Sequence, residues 1–376
     1  MNYSKFILIL SFIACMTGCK EIYNIPVQAG SQSFLVVEGN LNNSAPTTIR
    51  LTRTFRSDSP SLKPELFAQL TVEGKDNIVY PLDEQGNGYY GASQLNLVTG
   101  QDYRLHIKTN TGKEYLSDFV TFKKNPPIDS ISWKRDNNGV TIYANTHDPE
   151  NSTRYYRWEY EETWEIHSRY FSRLKYVNGG NPPIVERDTS ENVFICYKSY
   201  NSNNIILGSS ARLQSDVIHE SPLILIPNAT EKLAFRYSVL VRQFTLSKEA
   251  YQYYQLMKKN TETVGSIFDA QPSELRGNIH SVGDPNEMVI GYLTASPVHE
   301  QRIFISASEI PDWNFSLNCQ MLLSPPDAAS VRDFASGYEL IDAKTMGIII
   351  VGYYFSSHEC VDCTSRGGNT RKPIFW

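Results

Sequence analysis

The sequence predicts a mainly β chain: an N-terminal immunoglobulin-like or transthyretin-like sandwich, followed by a larger β-rich domain with one or more short helices. Three observations predict it. Short stretches alternate apolar and polar residues with period two, Gly- and Asn-rich turns separate them, and one stretch stands out by repeating its apolar residues at helical spacing. The expected division is a signal peptide at 1–18, a tether at 19–30, a sandwich at 31–125 and a second β-rich domain at 126–376.

In the first domain, Phe34 to Glu38 reads as a strand. In Thr47 to Thr54, Ile49 and Leu51 face one way while Arg50 and Thr52 face the other. Phe67 to Val72 and Ile78 to Tyr80 continue the pattern. Tyr103, Leu105 and Ile107 alternate with Arg104, His106 and Lys108. Gly86-Asn87-Gly88 and Asn110-Thr111-Gly112 supply turns, since Gly and Asn tolerate positive φ. Repeated short strands with such turns point to a sandwich.

Pro126-Pro127 marks the boundary. Beyond it, Ile128 to Trp133 and Val140 to Ala144 predict a hairpin across Asp136-Asn137-Asn138-Gly139. Tyr155 to Trp164 is crowded with aromatics and acids. Ile205 to Leu207, Leu223 to Ile226 and Phe235 to Phe244 read as further strands. Ser247 then caps a predicted helix from about Lys248 to Thr261, with Glu249 in its first turn and Lys258 and Lys259 near its end, as the helix dipole favours. Its stripe of Ala250, Tyr253, Tyr254 and Met257 is read as core packing. Met288 to Leu293, Arg302 to Ser306 and Met346 to Phe355 return to strand. Phe375-Trp376 is expected to dock internally and close the second domain.

The first residues carry a processing signal. Phe6 to Met16 is apolar but shorter than the ~20 residues that cross a bilayer as a helix, and Met16-Thr17-Gly18-Cys19 follows it. Small residues ahead of a cysteine give a peptidase access to the backbone, and the thiol can carry diacylglycerol, so Cys19 is the predicted lipidation site. Each buried methylene contributes ~0.8 kcal/mol, and stable attachment requires more than one chain, which a triacylated cysteine supplies. Lys20 and Glu21 follow, with no aspartate to direct inner-membrane retention. The expected location is the outer membrane; the periplasmic and cell-surface faces both remain open.

Cleavage before Cys19 removes one charged residue, Lys5, so the formal charge moves from −5 to −6. No basic excess is present to neutralise phosphate, which argues against nucleic-acid binding. A hydrophobic content of 41% supports real cores rather than disorder. Of six cysteines, four remain after Cys15 is removed and Cys19 is acylated: Cys196, Cys319, Cys360 and Cys363. An even number in an exported chain fits disulfide chemistry. The preferred pairing is Cys196–Cys319 with Cys360–Cys363 as a local bridge. Redox work for Cys360-Val-Asp-Cys363 would call for a βαβ context, and zinc would need two more ligands, which Cys196 and Cys319 could supply.

Catalytic signals are sparse. The chain holds no HExxH helix, phosphate loop, dinucleotide fingerprint or serine elbow. Its seven histidines show no compact metal-ligand spacing, and neither metal nor cofactor is expected. Glu159, Glu161, Glu162 and Glu165 form the sharpest acidic cluster, and carboxylate pairs can perform acid–base chemistry, but a solvated acidic row is the commoner arrangement. Trp158, Tyr160 and Trp164 are candidate interface residues; a sugar platform or core packing would use the same rings.

The combined pattern resembles the uncharacterised lipoprotein family of Bacteroidota commonly encoded beside outer-membrane TonB-dependent receptors. The resemblance rests on Leu35-Val36-Val37-Glu38-Gly39, Gly88-Tyr89-Tyr90, Tyr103-Arg104-Leu105 and Ile128-Asp129-Ser130-Ile131. Later it rests on Arg236-Tyr237-Ser238, Gln243, Leu246-Ser247, Ala250-Tyr251, Gly265-Ser266-Ile267-Phe268, Pro272, Gly277-Asn278-Ile279 and Gly291-Tyr292. The ending contributes Cys360, Cys363, Gly367-Gly368, Lys372-Pro373 and Phe375-Trp376. It implies a non-catalytic accessory or binding subunit of a TonB-dependent receptor, with no catalytic residues to carry over. The alternative is a structural adaptor in envelope biogenesis or secretion; a polymer hydrolase has less in its favour.

Overall fold

A computed structural model describes residues 33–54, 63–262 and 275–376. Cys19 and the expected signal peptide and tether fall outside the described residues, as do Gly265 to Phe268 and Pro272.

Mainly β architecture follows from the alternation. In the strand Asp102–Lys108, Tyr103, Leu105 and Ile107 are buried while Arg104 and His106 are half-buried. Thr47–Arg53 likewise buries Ile49 and Leu51. The first lobe is sandwich-like, and the strand Val79–Gly86 pairs with Gln69–Gly74 in one layer and Tyr89–Ala92 in the other. Gly86, Asn87 and Gly88 all adopt positive φ at the hairpin turn, where Gly and Asn meet the least steric penalty.

A contribution from distant sequence completes this lobe. Ile279–Ser281 pairs antiparallel with Glu114–Ser117 at one end of the strand path. Val289–Ile290 and Thr294–Ala295 pair parallel with Leu35–Leu41 at the other. Ile279, Val289, Leu293 and Ala295 enter the same core as Leu35, Leu70 and Leu105. The division at 125/126 therefore does not capture the first lobe, which also takes in the 279–295 segment and so has both sheet edges covered. Glycine makes the close approach possible: a Cβ on Gly277 would lie 1.6 Å from the Gly291 carbonyl oxygen, and one on Gly291 would lie 2.2 Å from that of Val37.

The second lobe packs two sheets. Ile128–Arg135, Gly139–Asp148 and Asp216–Pro227 form one. The other centres on the long strand Tyr155–His167, flanked by Arg236–Thr245 on one edge and by Ile195–Asn201 and Ile206–Ser209 on the other; His299–Ser306 extends it. Val140, Ile142, Trp158, Tyr237, Val241 and Ile305 lie in the core between them. The helix Lys248–Glu262 begins as expected, with the Ala250 amide donating to Ser247 Oγ at 3.1 Å.

A buried polar network fixes the junction at Pro126-Pro127. Gln243 Nε2 donates to the Pro126 carbonyl at 2.8 Å and to Thr146 Oγ1 at 3.1 Å, while its Oε1 accepts from Trp158 Nε1 at 2.9 Å. Asn125 Nδ2 donates to the carbonyls of Gln243 at 2.7 Å and Pro297 at 2.9 Å. Such satisfied networks define one geometry, because any broken member leaves a buried polar group without its partner.

The C-terminal segment differs from expectation twice. Met346 to Phe355 is not one strand: Glu339–Met346 and Ile349–Ser356 form a hairpin turning at Gly347, φ +61°. The cysteines join as Cys196–Cys363 and Cys319–Cys360, in place of the expected Cys196–Cys319 and Cys360–Cys363. Cys360 sits in the short helix His358–Val361, and Cys363 opens a separate 3-10 turn capped by Asp362. The two elements carry the thiols toward different partners. A bridge within Cys360–Cys363 would close four residues and restrict the unfolded chain by only ~2 kcal/mol, against about 5 and about 4 for loops of the observed lengths, spanning 167 and 41 positions.

Phe375-Trp376 packs on its own chain, over the polar outer face of the Tyr155–His167 sheet rather than inside the core. The Arg302 guanidinium lies 3.5 Å from the Phe375 ring centroid, and Trp376 Nε1 donates to Glu165 at 3.2 Å.

Candidate interlobe cleft

The two lobes and the Lys248–Glu262 helix enclose a cleft of about 790 Å³, within the range of ligand-sized clefts and at the junction between bodies where such sites concentrate. Glu38 and Arg50 come from adjacent strands of the first lobe, paired at 3.5 Å. Arg157 and Glu159 come from the central strand of the second, paired at 2.7 Å. Period two places these last two on one face of that strand.

Arg157 is the most constrained of these groups. Its guanidinium carbon lies 4.5 Å from the Phe244 centroid and 4.8 Å from that of Tyr254, an attraction worth ~0.5–2 kcal/mol per ring. Its Nε, like that of Arg50, is buried without a hydrogen-bond partner among the described residues. Tyr253 anchors the helix by accepting from the Gly291 amide at 3.0 Å. Burial drives its phenol well above the ordinary tyrosine range. The cleft thus offers planar rings and paired charges on a rigid frame. Cation and anion alternate on both walls, so its charge is balanced.

The predicted interface residues do not reach the surface. Trp158 borders the cleft but is fully buried, and Tyr160 and Trp164 are buried as well. All three point into the second-lobe core. Alternation decides this: the even-numbered residues 156 to 166 are all buried on the long strand, and Thr163 is the one odd-numbered residue buried with them. Trp158 stacks on Tyr156 with centroids 5.8 Å apart. Glycine makes room for it, since a Cβ on Gly208 would meet the indole at 2.5 Å.

The acidic cluster is divided by the same alternation. Glu162 faces inward, accepting from Lys232 Nζ at 2.6 Å and Tyr237 Oη at 2.7 Å. Burial, reinforced by the Glu162 carboxylate beside it, pushes the Tyr237 phenol well up. Glu161 sits on the other face near Arg242 at 3.5 Å, and Glu165 contacts His167 at 2.6 Å. Glu159, Glu161 and Glu165 share the outer face, each beside a basic side chain, while Glu162 stands apart in the core. Among the described residues, no group of three His, Cys, Asp or Glu could hold a metal ion, and no helix is long and apolar enough to cross a membrane.

Arg157 and the cleft itself were not anticipated. The signal was Arg157-Trp158-Glu159, in which an ion pair straddles a core residue, but the opposing wall comes from strands more than a hundred positions earlier.

Comparison with solved structures finds the chicken interferon gamma receptor alpha chain, at 10% identity and a TM-score of 0.18, covering 57% of this chain and 90% of that one. A two-domain fibronectin type III segment of chicken tenascin gives 11% and 0.16, covering 56% and 91%. Likeness at that level carries no argument about function. No curated protein matches the chain. A family model does match, over residues 20–302, and the chain belongs to that family, described as a domain of unknown function, DUF4249.

Proposed function

We propose that this protein is a non-catalytic outer-membrane lipoprotein that serves as an accessory or binding subunit of a TonB-dependent receptor. Cys19 tethers the folded body, and the lipid reduces the search for a membrane partner to two dimensions. The observation that carries the binding role is the cleft: rigid tyrosine rings and an aromatic-stacked arginine lie between two lobes locked at Gln243. Preorganised aromatic and arginine side chains are the residue types that supply most binding energy at protein interfaces. The division of Glu161 and Glu162 between sheet faces favours binding over acid–base chemistry.

Affinity purification from native membranes, without cross-linking, tests the reading. Co-purification of an outer-membrane barrel, weakened by Tyr254→Ala, is the expected result. Consistent recovery of no barrel would overturn it, and recovery of envelope assembly machinery would favour the adaptor role.

A further inference from the structure

We propose that the tip of the C-terminal hairpin enters the lipid interface, giving the body a second membrane contact. The tip is apolar and unusually bare. Ile348 is 100% exposed, Met346 70%, Ile349 65% and Ile350 43%. Clustered aliphatic surface of this kind is unfavourable in water unless something covers it.

The order of residues along the hairpin identifies the cover. From Thr345 to Ser357 the chain carries no Asp, Glu, Lys, Arg or His. Lys344 stands opposite Gly352 at the neck, and Tyr353 and Tyr354 follow opposite Ala343 and Asp342. Lys344 stands nearer the tip than the tyrosines, but its stem carries the ammonium outward toward their level, so the aliphatic tip alone lies at hydrocarbon depth. Lysine stems run along apolar surface while the ammonium stays in water, and tyrosine favours the headgroup level. Geometry favours lipid over protein: a tip two strands wide covers little of the ~1,200–2,000 Å² that a stable protein interface buries, whereas lipid needs no complementary surface. The hairpin lies beyond residues 20–302, so the family match does not include it.

This inference rests on the reading of attachment through Cys19, and the experiment separates the two. The full chain carrying Ile348→Cys is purified from membranes, labelled with an environment-sensitive dye, and reconstituted on vesicles of phosphatidylethanolamine and phosphatidylglycerol. A blue shift, with quenching by lipids brominated in the acyl chain, is expected. The same dye at Leu213→Cys, another exposed position, shows neither. Adding Met346→Ser and Ile349→Ser, both at exposed sites, abolishes the quenching while the lobes stay folded. A dye at 348 that remains in water on a vesicle-bound protein overturns the hairpin claim alone. So does a blue shift without quenching, which would mean a protein surface covers the tip. Dye found on Cys19 of a freely soluble chain would instead sink the anchor reading; quenching at 348 with vesicles in excess would then still decide the hairpin.

Discussion

Each β lobe encloses a continuous apolar core, whereas the apolar cluster of the segment from Cys319 to Trp376 is small: Val331, Leu340 and Phe355, with Leu174, Tyr176 and Ile184 from earlier in the chain packed against it. What that segment lacks in burial it has in attachments. Cys360 is bonded to Cys319 and Cys363 to Cys196 in the second lobe. Asn369 exchanges two backbone hydrogen bonds with Tyr197, at 2.8 and 2.9 Å. Arg366 donates to Glu231 at 2.9 Å and to the His167 carbonyl at 2.6 Å. The lobes are held by burial; the C-terminal segment depends on crosslinks and edge contacts. Small bodies that cannot enclose a large core commonly rely on such crosslinks.

Removing core volume should damage a lobe most. Trp158→Ala empties the centre of the second lobe and frees Gln243 Oε1, and a destabilisation of ~3–5 kcal/mol is expected, read as a lower denaturant midpoint. A smaller loss would mean the lobe is less dependent on burial than the comparison holds. Next comes Cys319→Ser with Cys360→Ser, costing up to ~4 kcal/mol by loop entropy. Limited proteolysis should then cut between 319 and 360 while both lobes resist. Cooperative unfolding of the whole chain would break the contrast.

Gln243→Ala tests whether the lobes act as one body. It leaves Trp158 Nε1 and neighbouring groups unpaired, at ~1–3 kcal/mol for each unsatisfied group, and should loosen the cleft as measured by amide exchange near Pro126. Alkaline titration separates the regions by chemistry. Burial raises Tyr115 and Tyr160 to about 12, and Tyr156, Tyr237 and Tyr253 also lie above their ordinary value. These phenols stay protonated longer folded than unfolded, so their stabilising contribution is complete below pH ~10 and declines as pH rises toward their folded values. All five lie outside the Cys319–Trp376 segment, so near-ultraviolet circular dichroism should lose lobe signal through this window; a profile flat from pH 9 to 12 would contradict the assignment. Lys124→Ala, which removes an exposed pair with Glu150, should leave the melting temperature unchanged, as surface pairs contribute little.

The local rules were legible in sequence wherever alternation was regular. Tyr103 to Ile107, the Asp136 to Gly139 turn and the Ser247-capped helix are found where the residues placed them. What failed depended on distance in sequence. Nothing near Leu35 announces that Val289 will pair beside it. Cysteine spacing cannot choose among the pairings that four thiols allow. Aromatic identity at Trp158, Tyr160 and Trp164 could not distinguish interface from core, because both environments favour large rings; the even-numbered register on the strand made the distinction. The run Met346 to Phe355 is apolar on both sides of Gly347, so its pattern does not mark the turn that Gly347 makes at positive φ.

Location and partnership turn on the chemistry at residue 19. Intact-mass and peptide mass spectrometry of the mature protein tests it directly. The account predicts a chain that begins at Cys19 with acyl groups attached and stays with the outer-membrane fraction. A bare Cys19 thiol on a protein found wholly in the aqueous phase would contradict it.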